Sequence, residues 1–158
     1  MSAEYKYTQV GFVTIIMILL VGALTWLIFN AAIKSSDGQS ETTLKSTGLV
    51  VAGFFIFVLA AFYSFTIQVA EGKLSFWFGF GVARKSIPLE DIHSVEVVKN
   101  PWYYFWGIKS IPRGWLYSIA PGGRVVELVM ADGKLIRLGT NRPEDIRQRL
   151  AAQIEKAA

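Results

Sequence analysis

Gly48 to Phe80, GLVVAGFFIFVLAAFYSFTIQVAEGKLSFWFGF, decides the architecture, because the period of its apolar residues changes halfway along. Up to Ser64 the run is uncharged and continuous for about 17 residues, close to the lower limit for a helix crossing the hydrocarbon core of a bilayer. From Phe65 the pattern alternates. Phe65, Ile67 and Val69 share one parity, Thr66, Gln68 and Ala70 the other, and beyond Glu71-Gly72 the residues Leu74, Phe76, Phe78 and Phe80 again share a face. Period two marks strands with one buried face. A membrane span therefore runs directly into an antiparallel sheet.

Upstream, Val10 to Ile33, VGFVTIIMILLVGALTWLIFNAAI, carries no charge. Its length of about 24 residues gives about 36 Å of helix, enough to cross a bilayer with some tilt. A signal-peptide core is about half as long and is followed by a small-x-small cleavage pair, which this sequence lacks, so the segment reads as an anchor. Ala32 to Thr47, AIKSSDGQSETTLKST, is polar and reads as a short solvated connection. The expected unit over residues 1–64 is thus a two-helix transmembrane hairpin, with spans at about 10–33 and 48–64 and both chain ends on one side. Lys6, Lys73, Arg84 and Lys85 flank that side, against Lys34 and Lys45 in the loop. The positive-inside rule then places both termini in the cytoplasm, with the protein in the inner (cytoplasmic) membrane.

The composition of the 158 residues agrees: 53% are hydrophobic and 18% charged, a skew away from soluble domains. Only Lys6, Lys34 and Lys45 of the 16 basic residues precede Phe65, so the charge belongs to the C-terminal part, residues 65–158. The absence of cysteine excludes disulfides, thiolate nucleophiles and Cys-based metal sites.

Downstream of the first two strands, Arg84 to Pro88 and Ile92 to Val98 read as the third and fourth. Trp115 to Ile119 leads into the turn Pro121-Gly122-Gly123, and Val125 to Met130 and Lys134 to Leu138 form a hairpin around Ala131-Asp132-Gly133. Asn141 can cap a final helix with Glu144 reciprocating, and Ile146, Leu150 and Ile154 give that helix one apolar stripe. Seven strands and a helix, together with Ile87-Pro-Leu-Glu-Asp-Ile92, Asn100-Pro-Trp, Trp106-Gly-Ile, Gly114-Trp-Leu-Tyr117 and Asp132-Gly-Lys…Leu138-Gly-Thr-Asn-Arg-Pro-Glu144, resemble the bacterial PH-domain membrane proteins. The resemblance covers about Phe65 to Leu150. It implies a membrane-anchored α+β fold: the hairpin, then a pleckstrin-homology-like, seven-stranded antiparallel barrel with a C-terminal capping helix. It implies no cofactor and no activity.

The residues offer little chemistry. His93 is the sole histidine and reads as a rim residue, and Glu90-Asp91 as a turn. The serines lack a glycine-flanked elbow. Gly79-Phe-Gly-Val-Ala-Arg84 is followed by Lys85-Ser-Ile-Pro rather than by a helix, so it reads as a strand-ending turn and not a phosphate loop. The first hairpin, Ala70 to Lys73, is tight and holds one acid and one base, too little for a phosphoinositide pocket. The modest basic excess beside a membrane also argues against nucleic acid.

What remains is Asn100 to Tyr117, NPWYYFWGIKSIPRGWLY. If the first strand leaves the bilayer, every second connection returns to it: Phe80 to Arg84, Lys99 to Arg113 and Ala131 to Lys134. Glu71-Gly72, Leu89 to Asp91 and Pro121 to Gly123 are then distal. Five consecutive rings cannot all point inward, whereas Trp115 and Tyr117 fit a core strand. The candidate membrane or partner surface is therefore Arg84, Lys85, Lys99, Trp102, Tyr103, Tyr104, Phe105, Trp106, Lys109 and Arg113, rings at headgroup depth beside cations. The functional expectation is a non-enzymatic integral-membrane protein whose domain is a membrane-proximal binding or scaffolding module. Its partners would be the lipid bilayer and another membrane protein or a second copy of itself. The alternative is a module for anionic lipid headgroups.

Overall fold

The computed structural model describes residues 5–35, 38–104, 107–119 and 123–157. Two long helices, α1 (Phe12–Lys34) and α2 (Gly38–Phe62), stand against each other as an antiparallel hairpin. At 1.5 Å per residue α1 alone is about 34 Å long, against a hydrocarbon core of about 30 Å. Both are long and apolar enough to cross a membrane. Their large side chains point away from the rest of the molecule: Phe12 is 71% exposed, Leu27 66% and Leu49 75%. A surface of that kind is consistent with a two-span membrane protein.

Two β-sheets follow. The first has the order β1-β2-β3-β4, from β1 (Tyr5–Val10), β2 (Ser64–Ala70), β3 (Lys73–Phe78) and β4 (Val82–Pro88). The second contains β5 (Ile92–Asn100), β6 (Gly107–Ile111), β7 (Gly114–Ser118), β8 (Gly123–Met130) and β9 (Leu135–Gly139), in the order β5-β8-β9-β7-β6. The core lies between them. Phe65, Ile67, Phe76 and Phe78 of the first sheet meet Tyr117, Val126, Leu128 and Leu138 of the second, with the Phe76 and Tyr117 rings edge-on at 4.8 Å. Helix α3 (Pro143–Ala157) closes one side, burying Ile146 and Leu150 completely. Tyr5 of β1 donates to Asp145 at 3.1 Å, and the Tyr7 hydroxyl to Asn141 Oδ1.

Four features differ from the sequence reading. The sheets hold four and five strands and do not close into a seven-stranded antiparallel barrel; β4 ends the first sheet unpaired to the second, and β7 and β9 run parallel. An additional strand, β1, precedes the first span and pairs with β2 from Tyr5↔Val69 to Val10↔Ser64. Its Tyr-Lys-Tyr-Thr alternation is short and was hidden by the apolar run it leads into. The connection expected over residues 32–47 is mostly helical. There the hydroxyls of Ser46 and Thr47 bond back to the Thr43 carbonyl and Lys45 pairs with Glu41 one turn away, so polar side chains are satisfied within the helix. At the last helix Asn141 Oδ1 accepts from Tyr7, while Glu144 pairs with Arg124 and Arg147.

Candidate functional site

The helices join the sheet without a linker. Gly11 alone separates β1 from α1 and Tyr63 alone separates α2 from β2, and the Gly11 N–H donates to the Tyr63 carbonyl at 2.8 Å. Thr14, buried in the first turn of α1, donates its hydroxyl to the Ile119 carbonyl at 2.8 Å. The β3–β4 turn also returns here. Gly79 N–H bonds the Ser64 carbonyl, and Phe80 lies 6.2 Å from Phe57 of α2. One end of the domain is thereby fixed against the helices. The opposite end collects Gly72, bonded to Leu89, and Asp91, bonded to Ala131.

Register then places each candidate residue. Asn100 pairs with Gly123 and Gly107 with Ser118, next to Ile119, so Lys99, Asn100 and Gly107 lie at the helix-proximal end, and Trp102–Tyr104 follow directly from there. β5 and β6 are the two edges of their sheet, four strand spacings or about 19 Å apart. Trp102–Tyr104, between them in the chain, form one short 3-10 turn, with Tyr104 N–H bonding the Pro101 carbonyl at 3.1 Å. Trp102 and Tyr103 are 74% and 56% exposed; successive rings stack edge-on, 6.2 Å between Trp102 and Tyr103 and 5.1 Å between Tyr103 and Tyr104. Lys99 is exposed beside them. Phe105, Trp106 and the Pro121-Gly122 turn lie outside the described residues.

The remaining cations go elsewhere. Lys109 is exposed in the middle of β6. Arg113 occupies the β6–β7 turn at φ 68° and bonds the Gly133 carbonyl at 3.1 Å, which puts it at the end far from the helices. Strand β6 is the cause: one strand within Lys99 to Arg113 inverts the direction of everything after it. Hence Ala131 to Lys134 lies at the far end, and Ile119 and Gly123 at the near one. Arg84 sits on the outer face of the first sheet, 4.9 Å from the centre of the Trp77 ring, with Lys6 at 5.7 Å. Lys85 is half-buried opposite Phe76 and lines a cleft of about 440 Å³ with Trp115, Asp91 and Lys134. The ten residues therefore form no single patch. The structure brings together Lys99, Trp102, Tyr103 and Tyr104.

Two features escaped the sequence reading. Trp77 has the opposite parity to Phe76 and Phe78, which was sufficient to put it on the solvent face beside Lys6 and Arg84. A crevice of about 510 Å³ opens where α1 and α2 meet β6 and β7, and its signal was the lone Thr14 at the start of an apolar span.

At this end burial raises the Tyr117 phenol; the other shifts lie away from it. The Lys134 ammonium, bonded at 2.6 Å, holds Asp132 below the usual carboxylate range and is itself raised in return. His93 is exposed on β5. Among the described residues no three His, Cys, Asp or Glu side chains gather in a metal-binding group. No family model matches the chain, and no curated protein is similar enough to count as a relative.

Proposed function

We propose that the chain is an integral protein of the cytoplasmic membrane, both termini inside, whose PH-like domain is a non-enzymatic binding or scaffolding module held against the bilayer for another membrane protein. The PH-like reading is supported by two face-to-face sheets with a C-terminal helix along one side, and by the residue runs that resemble that family. The chain departs from a simple PH-like meander in β1, supplied from before the spans, and in the β6–β7 hairpin beyond β9.

The observation that carries the functional reading is the pair of exposed rings, Trp102 and Tyr103, at the end of the domain to which the helices are joined without a linker. Large exposed aromatics are costly on a monomer surface and are typical of interface anchors. A photoreactive p-benzoylphenylalanine at Tyr103, irradiated in cells, tests it. The expected product is a covalent adduct with one reproducible membrane protein, absent when the probe replaces exposed Glu71 at the far end. Adducts with lipid alone would instead support a second reading, contact with anionic headgroups. Exposed Lys99 beside the rings favours that reading.

A further inference from the structure

The crevice beneath β6 and β7 has a composition that identifies its occupant. Its walls are Met17, Ile18 and Val21 of α1 and Val58 and Phe62 of α2, and Gly107, Ile108, Ser118 and Ile119 close it on the side of the domain. At about 510 Å³ it is in the size range of small-molecule sites, typically about 300–1,000 Å³. The hydroxyl of Thr14, the one polar group on the α1 wall, is already given to the Ile119 carbonyl. Apolar walls of this kind do not hold water.

Depth decides what fills it. Thr14 to Val21 covers about 10 Å of helix, counted from the point where β1 gives way to α1. The crevice thus starts at the junction of headgroups and acyl chains and descends into one leaflet. The segment carrying Trp102 and Tyr103 leads into Gly107 at its domain end, and exposed Lys109 follows two residues along β6. An apolar shaft closed at its domain end by Gly107, Ile108 and Ser118 suits an acyl chain, with a phospholipid headgroup beside those strands. A neighbouring spanning helix, by contrast, must continue upward into water, and Gly107, Ile108 and Ser118, which line the crevice, stand at that end. From these observations we infer that the crevice holds one phospholipid of the surrounding bilayer, an acyl chain against Ile18 and Val58 and the phosphate beside Gly107 and Ser118. The inference rests on the reading that both helices span the membrane.

The full-length chain, extracted with its native lipids into polymer discs and released into a native mass spectrometer, provides the test. One retained phospholipid per chain is expected. Ile18→Trp fills the shaft and should lower the retained fraction about tenfold, whereas Leu49→Trp, on an exposed face elsewhere, should leave it unchanged. Equal retention in wild type and Ile18→Trp overturns the proposal. Because the tryptophan variant has to fold for its result to count, p-benzoylphenylalanine at Met17 supplies an independent readout. A phospholipid-mass adduct supports the site, and an adduct with a second copy of the chain overturns it. Release of the wild type from membranes by alkaline carbonate would remove the spanning reading itself. A chain that resists carbonate yet carries no phospholipid defeats this inference alone.

Discussion

At single positions the structure is most demanding where the sheet touches the helices. Gly79 adopts φ 45°, and a Cβ there would lie 2.4 Å from the carbonyl oxygens of both Ala60 and Ala61. Any side chain must push the end of α2 away from β3 while holding a left-handed backbone. Gly79→Ala should therefore cost at least about 2 kcal/mol in a detergent melt. Gly53→Ala, with open space around its Cβ position, should be neutral or slightly stabilising. A second sensitive position is Tyr5. Burial, then the hydrogen bond and charge of Asp145, push its phenol up to about 12. Asp145 moves the other way, held below its usual value chiefly by the Arg149 hydrogen bond and further by Tyr5. A raised phenol favours its neutral form in the folded chain, so its contribution is complete below the ordinary value of about 10 and is lost as pH rises through about 12. The depressed carboxylate contributes above its ordinary value and loses that contribution as pH falls below it. Melting curves against pH should thus show an alkaline decline between about 10 and 12 that is shallower in Tyr5→Phe. Superimposable alkaline limbs would show that the Tyr5 bond does not hold α3.

Among the elements, α3 has the clearest energetic role, since it shields the ends of β5 and β8 on one side and ties to β1 on the other. Leu150→Ala removes a side chain with no exposed surface and should cost about 2–5 kcal/mol. Gln148→Ala, on the exposed side of the same helix, should change stability by less than about 0.5 kcal/mol. This helix was legible in the sequence because Ile146, Leu150 and Ile154 repeat every four residues, and the first two strands were legible because phenylalanines alternate with polar residues. β6 was not. Gly107 to Ile111 lies between a run of rings and Pro112 and holds only two apolar residues, so periodicity gave no signal over its five positions. That omission propagated, since each strand reverses the chain. It moved Arg113 on paper from the far end of the domain to the membrane side, and it exchanged the two turns on either side of β8. Trp102 and Tyr103 precede the missing strand, so their position at the helix-proximal end does not depend on it.

For the whole molecule, the decisive unit is the continuous hairpin β1–α1–α2–β2. Six paired residues, from Tyr5↔Val69 to Val10↔Ser64, run directly into two antiparallel helices, and both junctions are bonded to the domain. With both helices read as spans, the domain lies on the same side of the bilayer as β1. Which side that is depends on charge. At the helix-proximal end of the domain Lys99 is exposed, whereas near the start of α2 Lys45 is paired with Glu41 at 2.5 Å. On the proposed reading, the positive-inside rule applied to that asymmetry puts the domain in the cytoplasm. Single cysteines introduced into this cysteine-free chain test that orientation without background. Ser40→Cys should react with an impermeant thiol reagent on intact cells, and Glu71→Cys only after lysis. The reverse pattern would turn the protein over in the membrane, carrying the Trp102–Tyr103 surface to the outside. Equal labelling of both on intact cells would mean that the two helices do not separate the domain from the segment that joins them.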